Sequence, residues 1–251
     1  MKVSIITPSY NQGQFIERTI QSVLQQSYAN IEYIIMDGGS TDNTMEIVNR
    51  YKDRIHIVFH GKDKGQSDAI NRGFRLATGS LVGWINSDDI LYPDCVEKIV
   101  SLVNSHPDGS IYYPAMIDLI DSRDEKTGEI KKVIKDKDTL VQHDYCVVQQ
   151  GSFYRSELVN KVNFLDENKH YCMDLDLWLK LLDEGKIYYY DERALAAFRL
   201  WENSKTTTGG LRFFRDIRKT LQLHQMRAFS PNNLRLQWYM CKAAIKKMIR
   251  S

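Results

Sequence analysis

Short apolar runs and helical periodicities take turns along the first hundred residues. Residues 2–7 (K-V-S-I-I-T) are apolar and β-branched and are stopped by Pro8, which predicts a buried strand. Phe15, Ile16, Ile20, Val23 and Leu24 then recur at helical spacing. A second apolar run, 31–36, ends in the turn Asp37-Gly38-Gly39-Ser40, and Asp42 is the expected N-cap of a helix carrying Met45, Ile47 and Val48. Residues 55–59 and 81–85 predict two further strands with a helix, 67–76, between them, and Pro93 suits the first turn of a helix ending near Asn104. This alternation argues for an α/β domain, a mostly parallel central sheet flanked by helices. In such sheets ligands bind beyond the carboxyl ends of the strands. The unusual polar residues stand there, at 7–11, 37–42 and 86–89.

Beyond residue 110 the pattern changes. Residues 112–120 read as one strand, 121–128 (D-S-R-D-E-K-T-G) as a solvated turn before another short strand, and 173–182 as a helix with Leu175, Leu179 and Leu182 on one side. Residues 187–190 and 194–200 predict strands, and two helices broken near Ser230-Pro231 follow from about Gly210.

Composition narrows the class. The chain has 251 residues, enough for one large domain with a modest appendage, and its apolar and charged fractions are those of a globular protein. A net charge of +2 gives no case for nucleic acid as a bulk partner. The acids cluster before residue 192, whereas the last forty residues are basic. Cys95, Cys146, Cys172 and Cys241 show no paired spacing, and residues 3–8 are too short for a signal-peptide core, so the expectation is a cytoplasmic protein with reduced thiols. No apolar run approaches the roughly 20 residues of a membrane helix.

Three clusters could carry chemistry. Asp37 closes the second strand, where its carboxylate can accept a hydrogen bond from a ring N–H of uracil, thymine or guanine; alternatively it only shapes the turn. Asn86-Ser87-Asp88-Asp89 ends the fourth strand, where carboxylates can hold Mg²⁺ or Mn²⁺ against a diphosphate, or merely cap a helix. Asp174 and Asp176 lie two apart, about 200° around a helix, so they serve different ends. Asp174 is the candidate general base, with ordinary first-turn acids as the alternative. The segment 65–73 can present backbone N–H groups and Lys64 to phosphate, or simply start a helix.

Together these residues resemble the family 2 glycosyltransferases, from about residue 3 to 204. The resemblance rests on S-I-I-T-P-S-Y-N, I-I-M-D-G-G-S-T-D-N-T, G-Q-S-D-A-I-N-R-G-F, A-T-G, G-W-I-N-S-D-D, M-D-L-D-L-W-L-K-L and F-R-L. It implies the GT-A (Rossmann-like) fold with a C-terminal helical extension. The catalytic domain would span 1–205, divided into a nucleotide-sugar half (1–110) and an acceptor-side half (111–205), and 206–251 would form the basic extension. It implies an inverting, metal-dependent transfer from a nucleotide-diphosphate sugar, UDP-sugar favoured, to a hydroxyl of a glycan or lipid-linked glycan. Cell-surface polysaccharide or lipopolysaccharide assembly is the implied setting.

Donor-binding positions fall on Thr7, Pro8, Tyr10, Asp37, Gln66, Asp68, Asn86 and Ser87, with Tyr10 stacking on the base. The metal ligand falls on Asp88 and the catalytic base on Asp174. Residues 149–153 resemble the acceptor-side segment. The chain departs from the family pattern at Asn86, the first position of the Asp-x-Asp motif, at Met173, where a glutamate is common, and at Trp201, where many relatives carry a histidine. Water or Lys205 could complete the metal site instead. Two other functions fit the same residues: nucleotidyl transfer, and non-catalytic binding of sugar nucleotides or glycans.

In the tail, Leu234, Trp238, Cys241, Ile245 and Met248 form an apolar stripe flanked by Lys242, Lys246, Lys247 and Arg250. It suits peripheral contact with an anionic membrane face. Packing on the catalytic domain is the expectation preferred.

Overall fold

The computed structural model describes the backbone of residues 1–202 and 210–250, and side chains within these spans up to residue 243. The expected domain boundary at 205/206, Lys205, and the side chains of Ile245, Lys246, Lys247, Met248 and Arg250 lie outside the described residues.

The first half follows the predicted order. β1 (Val3–Ser9), α1 (Ile16–Leu24), β2 (Ile31–Asp37), α2 (Thr44–Arg50), β3 (Ile57–His60), α3 (Gln66–Leu76) and β4 (Leu81–Trp84) succeed one another. β1 pairs in parallel with β2 and β4, and β2 with β3, which brings the polar ends of β1 and β2 level at Ser9 and Asp37. The N-cap of α2 is Asn43 rather than the expected Asp42, which sits one residue earlier and accepts the Thr44 N–H at 3.0 Å in the turn that leads into the helix. Helix α3 lies close on β1 because position 73 is glycine: a Cβ there would stand 2.6 Å from Ile6.

The second half departs from the reading of residues 112–120 as one strand. The chain forms β6 (Gly109–Pro114) and β7 (Met116–Ile120), and these belong to different sheets. Pro114 lacks the N–H that would extend a ladder, and the chain crosses over at Ala115. The seven-stranded sheet has the order β10-β6-β9-β4-β1-β2-β3. In it β9 (Phe153–Arg155) runs antiparallel between β4 and β6, and β10 (Lys186–Tyr190) lies parallel to β6. A four-stranded sheet, β5-β11-β7-β8, stands beside it, built from β5 (Ile90–Leu91), β11 (Ala196–Arg199), β7 and β8 (Lys126–Lys131).

Helix α4 (Cys95–Ser105) precedes β6, and α5 (Ser156–Lys161) follows β9. Helix α6 (Met173–Leu181) is not one-sided as its leucines suggested. Leu175, Leu177, Trp178, Leu179 and Leu181 are all buried, so it lies inside the molecule, and Trp178 donates its indole N–H to Tyr154 at 2.9 Å.

Glu32 joins the strands at the opposite end of the sheet from the polar loops. Only 5% exposed, it accepts hydrogen bonds from Lys2 Nζ (2.7 Å), Ser4 Oγ (2.6 Å), and the Thr78 N–H (2.8 Å) and hydroxyl (2.7 Å). Burial opposes its charge, but these donors outweigh it and hold the carboxyl down at about 2.

Helices α7 (Gly210–Leu223) and α8 (Pro231–Arg250) form the extension. It docks on residues 139–143, where Asn232 Nδ2 donates to the carbonyls of Leu140 (2.8 Å) and Val141 (3.0 Å). The docked face of α8 carries Asn232, Asn233 and Leu236, whereas Leu234 and Trp238 are 52% and 53% exposed. The preferred expectation, that the stripe packs on the body, is thus corrected for Leu234, Trp238 and the exposed Cys241. None of the described helices is long and apolar enough to cross a membrane.

Candidate active site

The ends of β1, β2 and β4 and the starts of α3 and α6 surround a cleft of about 1020 Å³. Pro8, Ser9 and Tyr10 line it from β1, and Tyr10 is 61% exposed, an aromatic face open to a ligand. Gly38, Gly39 and Thr41 line it from the turn after β2.

Asp37 itself lies beneath that wall, 1% exposed. Its Oδ2 accepts the N–H groups of Gly39 (3.1 Å) and Ser40 (2.9 Å) and meets His60 Nδ1 at 2.6 Å. Its Oδ1 takes the Ser40 hydroxyl at 2.5 Å. The turn-shaping role is therefore built in, and of these partners only His60, half exposed, has a free side chain that can turn away.

Two other expected donor-site side chains face elsewhere. Thr7 is fully buried against the Tyr33 hydroxyl, 3.1 Å away. Asp68 accepts the Lys64 N–H (2.9 Å) and pairs with Arg72 (2.7 Å), which secures the start of α3 and engages the Lys64 backbone there. Lys62 lines the cleft instead, next to Asp63. Neither was expected. Their one signal is position, immediately after the third parallel strand.

Gln66 reaches from α3 to Asn86, its Nε2 2.8 Å from Asn86 Oδ1. Asn86, Ser87 and Asp88 line the cleft, but Asp89 is fully buried. Asp89 accepts the Arg199 N–H (2.9 Å), Gln150 Nε2 (3.0 Å) and Asn86 Nδ2 (3.0 Å). Arg199, also fully buried, fixes the turn from behind. It donates to the carbonyls of Asp88 (2.7 Å) and Asp121 (2.5 Å), pairs with Asp124, and lies 4.6 Å over the Phe15 ring.

Burial, then repulsion from Asp88, pushes Asp89 up to about 8. Burial likewise raises Asp88, against the opposing hydrogen bond from Trp201. That bond runs from Trp201 Nε1 to Asp88 Oδ2 at 3.0 Å, and the indole stands edge-on to Phe15. An indole N–H can only donate, so Trp201 supplies no ligand atom to a cation.

Among the described residues no three His, Cys, Asp or Glu side chains gather as a ready-made metal cage. One cleft-lining carboxylate, Asp88, fits a hard cation that keeps several waters and takes its other ligands from phosphate oxygens. It does not fit one held by protein alone.

Across the cleft, α6 separates its two acids as its geometry requires. Asp174 lines the cavity, while Asp176 is buried between Lys169 (3.4 Å) and Lys180 (3.2 Å). Ser67 Oγ donates to Met173 Sδ at 2.8 Å, which ties the starts of α3 and α6 together. Gln149 donates to the Trp84 carbonyl at 2.8 Å, and both Gln149 and Gln150 line the wall. The far end is apolar, with Ile117, Ile130, Tyr145, Val147, Phe213 and Ile217. Nothing in the sequence marked them as a cavity wall. Two buried polar atoms on lining residues, Ser9 Oγ and Trp84 Nε1, have no hydrogen-bond partner among the described residues.

Residues 4–162 match the model of the family described as glycosyl transferase family 2. An uncharacterized glycosyltransferase of Rickettsia typhi is 29% identical over 212 residues, spanning 82% of this chain; the chain covers 66% of that relative's length. TuaG of Bacillus subtilis, provisionally assigned as a glycosyltransferase of teichuronic acid biosynthesis, is 30% identical over 214 residues, 80% of each chain. Among solved structures, S. aureus TarS 1–349 in complex with UDP-GlcNAc superposes with a TM-score of 0.70 at 16% identity, over 97% of this chain and 72% of that one. The Pyrobaculum calidifontis mannosyltransferase PcManGT, in complex with GDP-Man and Mn²⁺, gives 0.69 at 15% identity, over 97% and 73%.

Proposed function

Since the chain belongs to glycosyl transferase family 2 and has the GT-A fold, we propose that it transfers a sugar from a nucleotide-diphosphate donor to an acceptor hydroxyl. The observation that carries this reading is that Asp88 and Asp174 line one cleft together with the open ends of β1 and β2.

In this reading the nucleoside lies along residues 8–10 and 38–41, stacked on Tyr10. Its ring N–H reaches Asp37 as the His60 imidazole swings aside. Uracil and guanine both carry that N–H, and TarS and PcManGT are seen with UDP-GlcNAc and GDP-Man. UDP-sugar remains the favoured donor. Asp88 would hold Mg²⁺ or Mn²⁺ with diphosphate oxygens, and the ion would stabilise charge on the departing diphosphate.

Asp174 takes the proton of the acceptor hydroxyl as that oxygen bonds to the anomeric carbon and the bond to the diphosphate breaks, with inversion. Asn86 and Gln66 orient the donor, and Gln149 and Gln150 border the acceptor. Surface-polysaccharide assembly is the supported setting, given TuaG.

The acceptor is read as lipid-linked at the cytoplasmic membrane face. Residues 210–251 hold ten Lys or Arg against one acid, and Leu234 and Trp238 face outward. Weaker sedimentation of Trp238→Ala with anionic vesicles is the expected result, and unchanged sedimentation removes the lipid contact.

The deciding experiment measures thermal stability against UDP, GDP and other nucleoside diphosphates with and without Mn²⁺, followed by product analysis with the base that binds. A metal-dependent shift and release of nucleoside diphosphate are expected. Release of pyrophosphate would instead identify nucleotidyl transfer.

A further inference from the structure

Trp84 ends β4, two residues before Asn86, and is 2% exposed. Its ring packs edge-on to Phe74 of α3 at 6.0 Å and tilted against Tyr154 at 5.8 Å, and its carbonyl is taken by Gln149. The indole N–H has no acceptor among the described residues, although Trp84 lines the cleft. A buried donor without a partner is costly and rare, and at a cavity wall its natural partner is a ligand.

The position of Trp84 says which part of a ligand. On the proposed reading, the diphosphate lies at Asn86 to Asp88 and the attacking hydroxyl at Asp174. The transferred sugar must then lie between them, because its anomeric carbon loses one and gains the other. Trp84, Gln66, Gln149 and Met173 line the same cleft as Asn86, Asp88 and Asp174. Gln66 is already bound to Asn86, and Gln149 to the Trp84 carbonyl. Ser67 holds the Met173 sulfur.

We propose that the indole N–H of Trp84 donates a hydrogen bond to a hydroxyl or ring oxygen of the donor's sugar, making Trp84 a specificity-determining residue. The inference rests on the glycosyl-transfer reading and adds to it the group that senses the sugar rather than the nucleotide. An oxygen at the right place satisfies the N–H, whereas a sugar lacking it leaves the buried donor unpaired. Hydrogen-bonding sites reject deoxy analogues strongly for that reason.

The test uses the full chain labelled with [¹⁵N]tryptophan, whose four indole N–H signals are those of Trp84, Trp178, Trp201 and Trp238. UDP, GDP, UDP-glucose, UDP-GlcNAc and GDP-mannose are titrated with Mg²⁺ and without acceptor. The expected result is a downfield shift of the Trp84 indole proton with a sugar nucleotide and none with its bare diphosphate. Trp84→Phe keeps the aromatic packing and loses the donor. It should bind UDP or GDP within about twofold of the parent but the sugar nucleotide roughly 5- to 10-fold more weakly.

If Trp84→Phe fails to fold, Trp201→Phe, Trp238→Phe and Trp178→Phe assign the Trp84 signal by elimination in the parent protein. Equal responses to diphosphate and sugar nucleotide, or no response to a sugar nucleotide that binds, overturn the inference and leave the donor-site reading standing. Failure of every nucleotide to bind overturns that reading, and this inference with it.

Discussion

Replacing Glu32 with Gln should cost stability in a pH-dependent way, although the residue lies far from the chemistry. The carboxylate binds four donors, from Lys2, Ser4 and Thr78, and so joins β1 and β2 to the turn before β4. An amide can accept at one end only and turns its NH₂ towards a donor at the other. The folded pKa, about 2, lies below the ordinary 4.5, so the unfolded chain binds the proton more tightly. The stabilisation is therefore complete above pH 4.5 and is lost as pH falls through 2. The gap between 4.5 and about 2 corresponds to about 3 kcal/mol at neutral pH. Partial exposure of Lys2 brings this nearer to about 2 kcal/mol. Between pH 7 and pH 3 roughly 1.5 kcal/mol of it should vanish. Urea unfolding of both proteins at pH 7, 4.5 and 3 isolates the effect, because the other carboxylates cancel in the difference. A gap that stayed constant across that range would refute the ionic account and leave only lost packing.

The remaining expectations concern the site and its support. Asp174→Asn should lower turnover at least about 100-fold while donor affinity, read by calorimetry, changes little, because the shape is kept and the proton acceptor is lost. Arg199→Ala takes the side-chain donor from the Asp88 carbonyl, leaves Asp124 to Arg18 and the Asp121 carbonyl to the Asp124 N–H, and removes the cation beside Asp88. A cost of about 3–5 kcal/mol should appear as a melting temperature roughly 10 °C lower. Gly79→Ala would set a Cβ 2.7 Å from the Ser4 N and 2.8 Å from the Lys2 carbonyl, backbone atoms that cannot rotate away. A loss of about 1–3 kcal/mol in urea unfolding is expected.

The alternation of the first hundred residues was legible because β1, β2 and β4 are short buried runs closed by polar turns, and even β3, which is largely exposed, keeps an apolar run. The later elements were harder for identifiable reasons. Pro114 and Ala115 interrupt an apolar stretch too briefly to announce a change of sheet. β9 is three residues long, and its antiparallel insertion depends on neighbours far away in the chain. Among the site residues, Pro8, Tyr10, Gln66, Asn86, Ser87, Asp88 and Asp174 meet in one cleft. Sequence placed Asp37 at the right turn but could not show that three N–H or O–H donors of that turn and His60 already occupy its oxygens. The Trp201 bond to Asp88 joins residues 113 positions apart, so no local pattern could reveal it.

The charge distribution gives the cation its physical rationale. Residues 1–209 hold 24 Lys or Arg against 31 Asp or Glu, a net −7, so this part of the chain as a whole would repel the proposed anionic donor. The cleft does little to reverse this. Its lining carries Asp63, Asp88 and Asp174 against Lys62 and Lys132, and Lys132 is already paired with Asp144. Arg199, the nearest buried cation to Asp88, is spent on backbone carbonyls and Asp124. On the proposed reading, a diphosphate entering such a site would bring its own positive charge, and a divalent ion shared with Asp88 would supply it. The +9 of residues 210–251 acts over a different range. It can draw the molecule to an anionic surface, but salt screens it within about 8 Å, so it cannot replace the ion at Asp88. On the proposed reading, two separate electrostatic problems, holding an anionic donor and meeting an anionic surface, would thus fall to different parts of one chain.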